Sequence, residues 1–290
     1  MKRKFTIGTR GSQLALWQTA FVKSELEKRF PASAFDVRVI KTTGDQILDT
    51  ALSKIGDKGL FTRQIEIALL AGEIDLAVHS LKDLPTAQPD GLKIAAVSAR
   101  ELPNDVFISK NYASINDLPE NSTVATGSLR RRSQLLAYRP DLEIVEIRGN
   151  VPTRLEKFLA SDFDAMILAY AGVHRLNLDA HIKQIVPTEI LLPAVGQGVM
   201  AVESRVDDAE MSKMLKTIND DSARACIAAE RAFLWILEGG CQVPIAGHAV
   251  LNEDGGEISL EGFVGDLDGE KIIRHSMRGA KNEAEILGKS

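Results

Sequence analysis

From Lys4 to Ala169 the chain alternates short apolar runs with amphipathic stretches, twice over, and this alternation limits the folds open to it. Residues 4–9 read as a strand, punctuated by Arg10-Gly11-Ser12. Leu14, Leu16, Trp17, Phe21, Val22 and Leu26 then recur at near-helical spacing over 13–29, with Ser12 as the N-cap. Residues 35–40 predict a second strand ending in Thr42-Thr43-Gly44-Asp45, and 54–59 a charged, glycine-containing loop. A helix over 62–71 and strands over 74–78 and 92–97 complete a β-loop-α rhythm, the pattern of a doubly wound sheet. After the break at Arg100-Glu101-Leu102-Pro103-Asn104 the rhythm restarts, with strands over 106–109, 123–126, 142–147 and 165–169 and helices over 128–138 and 151–160. Ala194-Val195-Gly196-Gln197-Gly198 leads into a strand over 199–202 expected to return to the first unit. Two crossings between similar units predict a hinge. A helix over 222–237, stopped by Gly239-Gly240, precedes three alternating segments at 246–251, 258–264 and 272–277, and a short helix starts at 280. With turns at Gly255-Gly256 and Asp268-Gly269, those segments predict a three-stranded antiparallel sheet. The expected domains are 1–98 with 199–218, then 99–198, then 219–290.

Composition matters mainly for what it excludes. Among 290 residues, 40 acidic against 35 basic side chains give a net charge of −5, which argues against a surface built for nucleic acid or anionic membrane. Two cysteines, Cys226 and Cys241, cannot make a disulfide scaffold and fit a reducing compartment. No histidine stands near them at zinc-site spacing, so no metal is expected. Met1-Lys2-Arg3-Lys4 is followed by no apolar signal-peptide core, and no run approaches the roughly 20 apolar residues of a membrane helix. A cytoplasmic protein is expected.

The chemistry sits at strand ends. Ala77-Val78-His79-Ser80-Leu81-Lys82-Asp83-Leu84-Pro85-Thr86 begins as an apolar strand and finishes with a hydroxyl, an ammonium and a carboxylate, where open α/β sheets hold their ligands. Arg10 precedes the first helix, Arg130 and Arg131 open the helix after Thr126-Gly127-Ser128, Arg148-Gly149-Asn150 follows another strand, and Arg154 lies one turn into the next helix. Helix N-termini favour anions, and guanidiniums grip carboxylates or phosphates bidentately. Any one of these arginines could be a solvated surface charge, but their recurrence at junctions in an acidic protein points to a polyanionic small molecule. Asp83 is a carboxylate among cations, suited to stabilising a developing positive charge or moving a proton. Cys241 lies in a loop between a helix stop and Pro244 and reads either as a buried hydrophobe or as a covalent anchor, while Cys226 falls on an apolar helix face.

Thr42-Thr43-Gly44-Asp45, Lys58-Gly59-Leu60-Phe61, His79-Ser80-Leu81-Lys82-Asp83-Leu84-Pro85, Ser128-Leu129-Arg130-Arg131, Arg148-Gly149-Asn150, Ala194-Val195-Gly196-Gln197-Gly198 and Glu238-Gly239-Gly240-Cys241-Gln242-Val243-Pro244 together resemble the porphobilinogen deaminase (hydroxymethylbilane synthase) family, in consistent order from Ile7 to Pro244. One departure is Ala125-Thr126-Gly127-Ser128, where the family more often has Gly-Thr-Ser-Ser. The resemblance implies two α/β domains of periplasmic-binding-protein-like type joined by two crossover segments, plus a small α+β C-terminal domain. It implies a monomer with no nucleic-acid or membrane partner. It also implies a dipyrromethane cofactor in thioether linkage to Cys241. On that primer four porphobilinogen molecules would condense with loss of ammonia, before hydrolysis releases hydroxymethylbilane. By motif position Asp83 would be catalytic, contacting pyrrole nitrogens. Lys58, Ser80, Lys82, Asp83, Thr126, Ser128, Arg130, Arg131, Arg148 and Gly149 would hold the cofactor. Arg10, Ser12, Arg148, Arg154 and Arg175 would bind substrate, and Gln18, Asp45, Lys54 and Gln197 would support them.

Two other functions fit the same coarse fold. A two-domain solute-binding protein would clamp an anion and leave Cys241 and Asp83 idle. A nucleic-acid binder would use Arg130, Arg131 and Arg132 and show steeply salt-dependent affinity.

Overall fold

The computed structural model describes residues 3–46, 59–237 and 243–290, except for the side chains of Asp45 and Gln46. Packing divides the chain into two units. One comprises residues 3–46, 59–100 and Val199–Ala225; the other comprises Glu101–Gly198 and residues 226–237 and 243–290.

The first unit opens with β1 (Arg3–Thr9), α1 (Gln13–Arg29), β2 (Ser33–Val39), the single turn α2 (Thr43–Gln46), α3 (Arg63–Leu70), β3 (Leu76–Ser80) and β4 (Leu92–Val97). The second runs through β5 (Asp105–Ser109), β6 (Thr123–Ala125), α4 (Leu129–Tyr138), β7 (Glu143–Val145), α5 (Val151–Leu159), β8 (Ala165–Ala169), α6 (Tyr170–His174) and β9 (Ile182–Ile185). The chain then re-enters the first unit as β10 (Met200–Arg205) and α7 (Ala209–Lys216), and α8 (Asp221–Ile236) follows. It ends in β11 (Ile245–Leu251), β12 (Glu257–Gly265), β13 (Ile272–Ala280) and α9 (Ala284–Lys289).

Both five-stranded sheets are mixed rather than wholly parallel. In the first, ordered β2-β1-β3-β10-β4, β1 pairs parallel with β2 and β3, and the returning β10 runs antiparallel to β3 and β4. In the second, ordered β7-β6-β8-β5-β9, β6 pairs parallel with β7 and β8, and β5 runs antiparallel to β8 and β9. Each unit therefore has three parallel strands whose C-terminal ends share one edge, and that edge is where the two sites described below are built. The third sheet, β11-β12-β13, is antiparallel, with Gly255 (φ +67°) and Gly269 (φ +72°) in its turns.

Sheet packing decides which residues are core. In the first unit one sheet face buries Ile7, Leu76, Val78 and Val202 against Val22 and Leu26 of α1 and Met211 of α7. The opposite face buries Ala77 against Ile65 and Leu69 of α3. Each such aliphatic side chain contributes about 1.5–3 kcal/mol when fully buried. α1 differs from its sequence reading: Ala15, Gln18, Thr19, Val22 and Leu26 are buried, whereas Leu16, Trp17 and Phe21 are exposed, Trp17 and Phe21 stacking at 5.8 Å. Helical periodicity alone could not distinguish those adjacent stripes. The third strand also extends further than predicted, through His79 and Ser80. Four short elements, α2, α6, β9 and α7, have no counterpart in the sequence reading, being too brief or too polar to impose a period.

Candidate functional site

At the parallel edge of the first unit, β1 ends at Thr9 and β3 at Ser80, and the turns beyond them carry Arg10, Ser12, Lys82 and Asp83. Ser12 caps α1 by accepting from the Ala15 N–H at 3.3 Å. A small, partly open cleft of about 50 Å³ is lined there by Arg10, Ser12, Gln18, Phe61, His79, Ser80 and Asp83, among others. The Arg10 guanidinium carbon lies over the Phe61 ring, 4.2 Å from its centroid, a cation–π contact. Gly44 makes room for that ring, since a Cβ there would meet Phe61 Cε1 at 2.3 Å. Gln18 is buried beneath the cleft, and its Nε2 donates to Ser80 Oγ at 2.9 Å. Asp83 ends a 3-10 turn anchored by Leu81 N–H to Val199 C=O, and both Lys82 and Asp83 are exposed.

The parallel edge of the second unit is richer in cations. Ser128 caps α4, accepting from Arg131 N–H, and Asn150 caps α5, accepting from Thr153 N–H at 3.0 Å. Arg130 and Arg131 are nevertheless not turned out as free anion hooks. Both are buried, and each donates to one oxygen of Asp105 at 2.7 Å. Arg130 also donates to Leu192 C=O and Arg131 to Ile167 C=O. Gln197 joins the network, its Nε2 donating to Asp105 Oδ1 at 2.9 Å and to Pro103 C=O. Burial alone would raise the Asp105 carboxyl, but the two guanidiniums outweigh it and hold that carboxyl far below the usual range. Burial lowers the Arg130 and Arg175 guanidinium values, though an arginine stays charged at any physiological pH. Arg175 donates to Gly198 C=O at 2.8 Å. The loop holding Gly196 and Gln197 is itself fixed by the buried Glu230, whose carboxylate accepts from Gly196 and Ala249 N–H at 2.8 Å each.

Two guanidiniums on one carboxylate leave an excess positive charge under this edge. Two donors there lack any acceptor: Arg131 Nε and Arg148 Nη1 are buried with no hydrogen-bond partner. An unmet buried donor costs about 1–3 kcal/mol, so the arrangement is better satisfied with carboxylates bound. That is the fit expected for an acidic, multi-carboxylate cofactor.

The sequence-predicted residues thus gather in two groups: Arg10, Ser12, Gln18, Ser80 and Asp83 around the first cleft, with Lys82 beside Asp83, and Thr126, Ser128, Arg130, Arg131, Arg148, Gly149, Arg154, Arg175 and Gln197 in the second unit. Lys54, Lys58, Cys241 and the Asp45 side chain lie outside the described residues. Cys226 is buried, as its helix face predicts. Asp105 went unrecognised in the sequence, since a lone aspartate after Pro103-Asn104 looks like any loop residue. Among the described residues no cluster of three potential ligands could hold a metal ion.

Gly149 has φ +123°, and a Cβ there would lie 2.8 Å from Thr153 Cγ2. Gly149→Ala is therefore expected to push Thr153 off the Asn150 cap. A loss of about 1–3 kcal/mol in urea unfolding follows from the backbone strain and the weakened cap. An unchanged midpoint would show that the 148–150 loop yields without cost.

Comparison with known proteins gives a consistent family. The family model "Porphobilinogen deaminase, dipyromethane cofactor binding domain" matches residues 5–213, and "Porphobilinogen deaminase, C-terminal domain" matches 224–290. Porphobilinogen deaminase of Chlorobaculum parvum is 53% identical, covering 99% of this chain and 93% of its own. That of Chloroherpeton thalassium is 52% identical, covering 99% and 92%. Among solved structures, the methionine binding protein MetQ is 14% identical with a TM-score of 0.48, covering 79% of this chain and 94% of its own.

Proposed function

Since the chain belongs to the porphobilinogen deaminase family, we propose that its two cation-lined strand edges divide the family's reaction between them, substrate chemistry at Asp83 and carboxylate holding at the arginines. The activity is the stepwise condensation of four porphobilinogen molecules onto a dipyrromethane primer with loss of ammonia, followed by hydrolytic release of hydroxymethylbilane. The dipyrromethane cofactor supplies a growing end and a set of acetate and propionate groups.

The observation that carries the assignment is the pair of buried, acceptorless donors on Arg131 and Arg148. Carboxylates of the cofactor would meet those donors, with Thr126, Ser128 and Gly149 contributing hydroxyls and backbone, and with Arg154 and Arg175 receiving further carboxylates. Asp105 keeps Arg130 and Arg131 extended and aligned, so their role is to present a fixed positive field. Gln197 steadies Asp105. Lys58 would be a further cofactor-binding residue, and Lys54 and Asp45 supporting residues.

In the first unit Arg10 and Ser12 would orient substrate carboxylates, and Ser80 and Lys82 would hold cofactor groups beside them. Gln18 locks the Ser80 hydroxyl. Asp83, exposed at the cleft, would meet the reacting pyrrole. As ammonia leaves, positive charge develops on the ring, and an adjacent carboxylate stabilises it and accepts the pyrrole proton. The C-terminal segment from 219 onward serves as the third domain, carrying Cys241 as the thioether anchor.

The environment is read as cytoplasmic and the protein as a monomer without nucleic-acid or membrane partners. No helix among the described residues is long and apolar enough to cross a membrane. Arg130, Arg131 and Arg132 do not form a solvated basic stripe, because the first two are buried on Asp105 and Arg132 binds Leu267 C=O and Asp268.

Intact-mass measurement tests the anchor. Protein as purified is expected to carry an adduct of two pyrrole units, and Cys241→Ser to lose both the adduct and all turnover. An unmodified mass in protein that consumes porphobilinogen would remove Cys241 and the covalent cofactor from the mechanism.

A further inference from the structure

Three ionisable side chains packed together in the first unit have no part in the chemistry so far. The β3–β10 register pairs His79 with Ala201 and Ala77 with Glu203, so His79 and Glu203 leave the sheet on one face. A register shift between Val202 and Glu203 in the β10–β4 pairing marks a bulge, the device that re-aims a side chain within a sheet. α3 covers this face and adds Glu66. Glu203 is fully buried, His79 is 5% exposed and Glu66 7%.

His79 Nε2 lies 2.9 Å from Glu203 Oε2. The contact is close enough for an ion pair but misaligned for a hydrogen bond, so His79 Nε2 and both Glu203 oxygens lack a hydrogen-bond partner. Burial first, and the neighbouring Glu203 charge as well, raise the Glu66 carboxyl. Two adjoining buried acids do not ionise together readily, and a buried carboxylate is costly unless compensated. Burial thus disfavours the charged form of Glu66, and among the described residues the basic side chain within ion-pair distance of Glu203 is His79.

His79 also lines the cleft that holds Asp83, and Asp83 is the only carboxylate among the described lining residues. The charged groups around His79 are Glu203 from β10, Glu66 from α3, and Asp83 and Arg10 from the turns at the cleft, with Arg63 acting on Glu66.

We propose that His79 is a positioning residue for the reaction at Asp83, holding one proton in common with Glu203 so that the wall of the cleft is neutral and Asp83 is the anion met by the substrate. The proposal rests on the porphobilinogen reading of this cleft. Loss of the shared proton would leave Glu203 uncompensated behind the cleft, a second anion competing with Asp83 for the developing positive charge.

The test is the pH dependence of kcat and KM in the holoenzyme, beside an NMR titration of the His79 ring assigned with His79→Gln. Glu203→Gln keeps the shape and removes the charge. It is expected to lose the alkaline limb of kcat with KM little changed, because no carboxylate is left behind the cleft to become uncompensated. The ring titration should move to lower pH, because an anion favours the charged imidazole. A merely structural Glu203 would lower the rate equally at every pH and leave both titrations in place, which would overturn the proposal. Should Glu203→Gln fail to fold, His79→Gln reads the same limb, and a pH profile superimposable on that of the parent enzyme would be equally fatal. The ring titration needs no substrate, so a ring unmoved by Glu203→Gln overturns the pairing even in a fully active enzyme.

Discussion

Asp83→Asn is expected to fold and load its cofactor normally yet lose about 10²–10⁴-fold in kcat, the usual contribution of a positioned acid–base group. The fold should hold because Asp83 is exposed, and its turn is fixed by backbone bonds rather than by the carboxylate: Leu81 N–H to Val199 C=O and Leu84 N–H to Leu81 C=O. Surface substitutions of this kind usually stay within about 0.5 kcal/mol of the parent. Asn keeps the size and one acceptor but has neither the negative charge nor the ability to take a proton. Only interactions that strengthen in the transition state act on kcat, so KM should change far less. Arg10, Ser12 and the Gln18–Ser80 pair, which line the same cleft, are untouched. Substrate should therefore bind and then wait. Rapid-quench mass spectrometry of loaded enzyme would show the ladder of added pyrroles stalling, with the starting adduct intact. A kcat within a few-fold of the parent would take Asp83 out of the catalytic role.

Much of the scaffold that carries Asp83 was legible in the sequence because it follows from local rules. The spans of α1, β4 and β8 coincide with their sequence predictions, and Ser12 caps α1 in the expected way. Asn150 and Ser128 also cap the helices that follow strands, a role the sequence reading gave only to Ser12. The placing of Arg10 in one unit, and of Arg130, Arg148 and Arg154 in the other, near strand ends was also visible, because a β-loop-α repeat puts every such junction of a sheet on one edge. What those side chains touch was not visible. Arg130 and Arg131 looked like ligand hooks, yet both are committed to Asp105, a partner set by the antiparallel insertion of β5 beside β8. A strand that enters from a crossover brings residues with no local signature, and β10 does the same with Glu203. Buried charge is decided by long-range pairing, and no periodicity reports it.

Asp105 is for that reason the residue whose loss should cost the most stability. Removing one partner from a buried ion pair typically costs about 3–5 kcal/mol, because the remaining charge has no compensation. Here two guanidiniums would be stranded, and Gln197 would lose an acceptor. Asp105→Ala is expected to fall in that range by urea unfolding. Asp105→Asn should be milder, since it preserves an acceptor. The effect has a defined pH signature. The folded-state carboxyl of Asp105 is depressed relative to the unfolded one. Its contribution is therefore fully present above the unfolded value, near 4 for an aspartate, and fades as pH falls below it towards the folded value. Parent and Asp105→Asn should thus differ most above about pH 5 and converge in acid. Arg130→Met distinguishes charge compensation from simple packing. If Asp105 serves to offset the guanidiniums, Asp105→Asn should cost less in the Arg130→Met background than in the parent, with a coupling of about 1 kcal/mol or more. Additive losses with no pH dependence would mean that Asp105 fills space rather than balancing charge, and that the fixed positive field at this strand edge has some other origin.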